Sequence, residues 1–141
     1  PNAWQDGAEA YRGIAVAGFP NLFLMYGPNT NLGHNSIIFM IECQTRYILG
    51  CIRALRGRGL AWLDLRREVL EAFDAKMQRD LARTVWNDTE HSWYKDAAGR
   101  ITNNWSGSTI RYWWSTRRLD LGAYHQVARA SSAARLPARA A

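Results

Sequence analysis

The sequence predicts a mixed fold, α/β to α+β in class: one buried strand and a long helix, then a second helix and a small hairpin. Three observations lead there. Residues 22–26 form a short unbroken apolar run of the kind buried in a parallel sheet, and a Gly/Pro/Asn-rich turn separates them from helical spacing that opens at Ile37. Residues 66–86 repeat apolar side chains every three to four positions. Residues 92–105 place strand-like runs on both sides of a turn containing Gly99.

Taken in order, residues 1–17 read as a loop-like approach with Asp6-Gly7 as a turn. Beyond the strand and its turn, Asn35 or Ser36 can cap the first helix, whose inward positions would be Ile37, Ile41, Gln44, Ile48, Cys51 and Leu55. It should end by Gly57, and Gly57-Arg58-Gly59 suits a helix C-terminus, not a dinucleotide loop, which would have to follow a strand. Residues 37–41 are all apolar, so the first turn is expected to be buried on every side. Residues 60–65 alternate as a short strand. The second helix then carries Leu70, Phe73, Met77, Leu81 and Val85 inward, with Arg67, Glu68, Glu71, Lys76 and Arg79 in water. Met77 is a core residue in this reading, not a cofactor ligand. Ser92-Trp93-Tyr94 and residues 101–105 pair around the turn at 96–100. Ile110, Trp113, Trp114 and Leu121 space one more short helix, and beyond His125 the Ala/Ser/Arg tail is expected to be disordered.

Composition narrows the function classes. A chain of 141 residues, 48% hydrophobic, has material for one domain, and seven Trp imply aromatic surfaces that must be covered by packing, ligand or further protein. The net charge of +6 says little, because Arg129, Arg135 and Arg139 in the tail carry half of it. Arg111-Tyr112-Trp113-Trp114 with Arg117-Arg118 is the one stretch that mixes base-stacking aromatics with cations, and no nucleic-acid partner is expected from it. No apolar run reaches the ~18 residues that span a bilayer, nor does a basic-then-apolar leader open the sequence, so no membrane partner and a cytoplasmic setting are expected. Cys43 and Cys51 sit eight positions apart on one helix, about 12 Å along its axis, too far for a disulfide.

Most familiar catalytic patterns are missing. There is no Gly-x-Ser-x-Gly elbow, and His34, His91 and His125 have no Cys or carboxylate at metal-ligand spacing, so no metal is expected. Asp88 and Glu90 read as solvated loop acids. What remains is the strand, turn and helix around residues 18–36, a geometry that aims backbone N–H groups at a ligand.

Those letters carry a resemblance. Gly-Phe-Pro-Asn-Leu-Phe at 18–23, followed by Gly-Pro-Asn-Thr-Asn-Leu-Gly-His-Asn at 27–35, resembles the late flavin-domain segment of class B flavin monooxygenases. The nearest likeness is to the Baeyer-Villiger type, in the 4-hydroxyacetophenone and cyclohexanone monooxygenase group. Trp4-x-Asp6-Gly7-Ala8-Glu9-Ala10-Tyr11 resembles the family's lead into that strand, and Ser92-Trp93-Tyr94 with Gly99-Arg100 and Trp105-x-Gly107 resembles its C-terminal region. The turn is shorter here than in the cyclohexanone type. The family's two Gly-x-Gly-x-x-Gly loops and its Phe-x-Gly-x-x-x-His-x-x-x-Trp fingerprint have no counterpart, so the chain resembles the C-terminal portion of a longer, two-dinucleotide-domain flavoprotein.

The resemblance implies FAD and NADPH as cofactors, with O2 and a ketone as substrates, in a protein whose N-terminal part is needed as partner. It places Pro28, Asn29, Thr30, Asn31 and Leu32 at the flavin, with the backbone N–H groups of Asn31 and Leu32 as donors at its pyrimidine edge, and Trp93 and Tyr94 at the substrate pocket. His34 either approaches the cofactor or is structural. The family's catalytic arginine has no match, so the catalytic residues stay unassigned. Residues 1–59 would be the end of an FAD-binding domain, 60–124 a helix and hairpin region near the active site, and 125–141 the tail. Sulfur or nitrogen oxygenation by a sister enzyme, and a non-catalytic structural or interaction piece, are the alternatives.

Overall fold

The computed structural model describes residues 4–5, 7–32, 36–84, 95 and 99–130. Helix α1 spans Ile37–Gly57, strand β1 Leu60–Leu65, helix α2 Arg67–Leu81, helix α3 Thr109–Thr116 and strand β2 Tyr124–Ala128, with one 3-10 turn at Leu121–Ala123 before β2. Among the described residues, three helices thus flank one two-stranded sheet.

α1 begins where expected, because the Ser36 hydroxyl accepts a hydrogen bond from the Phe39 N–H and satisfies one of the unpaired donors of the first turn. Its first turn is not enclosed, however. Ile37 is 37% and Ile38 70% exposed. The buried face is Met40, Cys43, Gln44, Tyr47 and Cys51, rotated from the stripe the apolar spacing suggested. Ile, Leu and Met are equally apolar whichever way they point, so a helix rich in them on several sides does not reveal which face packs.

β1 forms as predicted and pairs antiparallel with β2, Leu65 opposite Tyr124 and Leu60 opposite Ala128, with an irregularity between Leu60 and Trp62. Residues 125–128 were expected in the disordered tail. They are instead a strand, closed by a hydrogen bond from the Arg129 N–H to the Gly59 carbonyl. α2 stops at Leu81, five residues short of the predicted end at Trp86, and Val85 and Trp86 lie outside the described residues. Leu70, Met77 and Leu81 are its buried side chains.

The largest departure is at 22–26. No strand forms there. Phe23 makes an isolated antiparallel bridge to Ala15, and the Leu24 N–H donates to the Ile14 carbonyl, so only one edge of the segment is paired. Leu22, Met25 and Tyr26 are 43–46% exposed. An apolar run of this kind becomes a buried strand only when neighbouring strands and covering helices are present, and the described residues supply neither on its outer edge.

Two clusters form the core. One joins Tyr11, Ile14 and Ala15 to Tyr47 and Cys51 of α1, to Leu63 and Leu65 of β1, and to Tyr124 of β2. The other packs Met40 and Cys43 of α1 with Met77 and Leu81 of α2, with Ile101 and Trp105, and with Tyr112 of α3. Trp105 and Tyr112 meet edge to face, ring centroids 5.1 Å apart, a favoured aromatic geometry. α3 holds Tyr112 and Thr116 inward and leaves Ile110 and Trp114 outward.

Candidate functional site

The turn at 27–32 is braced from two sides. Gly13, at φ +68°, lies so close beneath it that a Cβ there would meet the Thr30 methyl and the Pro28 carbonyl, and a Cβ on Gly27 would meet the Gly13 carbonyl. Only glycine lets these two backbones approach. The Thr30 hydroxyl closes the turn by donating to the Gly27 carbonyl at 2.6 Å.

The second brace is the segment at 101–105. The Asn29 N–H donates to the Thr102 carbonyl at 2.8 Å and the Asn31 N–H to the Asn103 carbonyl at 2.9 Å, while the Trp105 N–H donates back to the Asn31 carbonyl at 2.8 Å. Side chains repeat the pattern. Asn29 Nδ2 donates to the Ile101 and Asn104 carbonyls at 2.8 and 3.0 Å, and Asn31 Nδ2 to Asn104 Oδ1 at 3.0 Å. The far side of this segment is anchored on α2, through the Arg100–Asp74 ion pair at 2.9 Å and a Gln78 bond to the Ile101 carbonyl.

Turn and brace enclose a cleft of about 360 Å3 lined by Trp4, Ala8, Tyr26, Gly27, Pro28, Thr30, Asn31, Thr102 and Asn103. Of the residues expected at the flavin, Pro28, Thr30 and Asn31 line this cleft. Asn29 and Leu32 are buried and support it from behind. The expected role of the Asn31 N–H needs correction: it is committed to Asn103, because a buried amide left unpaired is costly and the neighbouring chain supplies a carbonyl. Trp93, Tyr94, His34, His91, Asp88 and Glu90 lie outside the described residues, as do Gly33 and Asn35 between the turn and α1.

Sequence reasoning missed Tyr26, Thr102, Asn103 and Asn104. The Asn pair at 103–104 is a signal, since side-chain amides offer both donor and acceptor, but its partner lies some seventy residues away. Asn104 is 1% exposed, and its Nδ2 has no partner among the described residues.

Among the described residues, none that lines the cleft is an acid, a histidine, a thiol or a cation. These residues can orient a ligand by amide, hydroxyl and aromatic contacts, and none of them is a general acid or base. The thiols are equally inert: burial raises the pKa of Cys43, and that of Cys51 to about 12. Buried phenols Tyr47, Tyr112 and Tyr124 are also pushed up, chiefly by desolvation, so all stay protonated at neutral pH. No group of three or more His, Cys, Asp or Glu that could hold a metal occurs among the described residues.

No family model matches the chain. It is 43% identical over 126 residues to a Baeyer-Villiger monooxygenase of Pseudomonas aeruginosa, covering 88% of this chain and 24% of that protein. A Baeyer-Villiger monooxygenase of Streptomyces coelicolor is also 43% identical, over 132 residues, with 92% and 25% covered. The chain belongs with the Baeyer-Villiger monooxygenases. The FAD-binding monooxygenase ktnD of Aspergillus niger shares 45% over 115 residues, 77% of this chain and 19% of that protein.

Solved structures give the same fold. The oxidized steroid monooxygenase bound to NADP superposes with a TM-score of 0.73 at 21% identity, and the OTEMO complex with FAD and NADP with 0.76 at 18%. Each match covers 89% of this chain and 24% of the other. The chain thus spans about a quarter of the length of the Baeyer-Villiger monooxygenases it matches.

Proposed function

We propose that this chain is the C-terminal portion of an FAD-containing, NADPH- and O2-dependent monooxygenase that inserts oxygen beside a ketone carbonyl. The observation that carries the reading is the braced turn at 27–32: the motif with the strongest family likeness is also the one the fold spends its buried amides on, and it opens onto a cleft.

The residues fit part of FAD and not the whole. A cleft of about 360 Å3 walled by amides and two aromatics suits one edge of a ring system. Nothing here suits the pyrophosphate, which needs a glycine-rich loop opening a helix. In this reading Pro28, Thr30 and Asn31 meet the flavin edge, and Asn29 and Leu32 hold them there. Trp93 and Tyr94 are assigned to the substrate pocket. The cofactor supplies the oxygen chemistry; the chain's residues orient it and exclude water.

An exposed apolar face supports the larger-protein reading. Phe19, Leu22 and Met25 are open to solvent, as are Ile37, Ile38, Leu49 and Ile52 of α1. Such a surface is unusual on an independent domain and suits burial against further protein.

The test is expression of the longer reading frame. The purified protein should hold FAD, consume NADPH in response to a ketone and place one atom of labelled O2 in an ester. Sulfoxide or N-oxide formation with no ester would support the sister class of oxygenases instead, and absence of flavin and turnover would leave a structural piece.

A further inference from the structure

Tyr26 stands in a backbone conformation that tyrosine rarely adopts. Its φ is +55°, in the left-handed region where a bulky side chain is strained. Strain of this kind persists only where the surroundings over-determine it, and it gathers at ligand clamps and active sites. Two ties do so here. The Tyr26 N–H donates to the buried Gln44 Oε1 at 2.8 Å, and the Tyr26 hydroxyl donates to Asn31 Oδ1, also at 2.8 Å. Gln44 is fixed in turn by a 3.1 Å bond from its Nε2 to the Tyr112 hydroxyl.

Neither tie hides the ring. It is 43% exposed and lines the cleft, which Trp4, equally exposed, also walls. Core packing therefore does not account for the strain. A phenol has one proton, and here it is donated to Asn31 Oδ1, while one hydrogen of Asn31 Nδ2 goes to Asn104 Oδ1. Toward a ligand the hydroxyl can offer only a lone pair, and the ring a π face.

We infer that Tyr26 is a specificity-determining contact of the cleft, walling a planar heteroaromatic ring and accepting a hydrogen bond from that ring's N–H. The inference rests on the reading of the cleft as a flavin-edge site, since the flavin ring system bears one such group, N3–H, between two carbonyls.

The experiment uses the full-length apoenzyme, titrated with FAD and with N3-methyl-FAD, in which that N–H is gone. The wild type should bind the methylated cofactor about tenfold more weakly or worse, the worth of one hydrogen bond of about 1.4 kcal/mol. Tyr26→Phe keeps the ring and removes the acceptor, so its affinity for FAD should fall about tenfold and its discrimination should vanish. Tyr26→Gly relieves the backbone strain, so it should melt no lower than the wild type while binding FAD more weakly; a merely structural tyrosine would not separate the two readouts. Undiminished discrimination in Tyr26→Phe, or wild-type affinity in Tyr26→Gly, overturns the inference and leaves the flavin reading standing. A wild-type protein that takes up no FAD at all sinks both.

Discussion

Asn29 shows how much one side chain can carry in this fold. It sits at φ +56°, a conformation asparagine tolerates better than most residues, and it is 3% exposed. Its N–H and Nδ2 together satisfy three carbonyls, those of Thr102, Ile101 and Asn104. Asn29→Ala would strand the Asn104 carbonyl, leave the Ile101 carbonyl to Gln78 alone, and force a Cβ-bearing residue without a polar side chain into the left-handed region. Urea denaturation should register a loss of about 2 to 4 kcal/mol; a change below about 0.5 kcal/mol would show that the turn and the 101–105 segment are not coupled as described. This residue was legible as a turn residue in the sequence, and its motif pointed to the site. Its partners were not, because hydrogen bonds to backbone carbonyls seventy residues away leave no trace in local composition.

At the scale of elements, ends were easier to read than faces. Ser36, Gly57 and the alternation at 60–65 marked real boundaries, since caps and strand periodicity are local properties. The buried side of α1 was misjudged because its apolar residues surround it, and the run at 22–26 was read as a buried strand because its composition presumes neighbours that the described residues do not provide. β2 was lost for a different reason: Tyr-His-Gln-Val-Ala adjoins an Ala/Arg tail, and its only strong core anchor is Tyr124, whose hydroxyl lies 3.2 Å from that of Tyr47. For α3, the Ser108 hydroxyl accepts the Arg111 N–H at 3.2 Å. Ser108→Ala should cost about 1 kcal/mol in thermal or chemical unfolding, and a neutral result would mean that the packing of Tyr112 and Trp105 alone holds this helix.

For the molecule as a whole, both core clusters draw on segments far apart in sequence, so the turn, its brace and the helices stand or fall together. Against that packed interior stands the open apolar face of residues 19–26 and α1, which the proposed remainder of a longer polypeptide would cover. No helix among the described residues is long and apolar enough to cross a membrane, so that face is not accounted for by a bilayer-spanning helix. The central claim is that the cleft between the turn at 27–32 and its brace at 101–105 receives the flavin edge. Hydrogen–deuterium exchange of the full-length apoenzyme with and without FAD tests it most directly. Peptides covering 26–32 and 101–105 should slow together when FAD is added, as bound ligand suppresses local opening. Stoichiometric FAD binding that leaves the exchange of both segments unchanged, with protection confined to other parts of the protein, would contradict it.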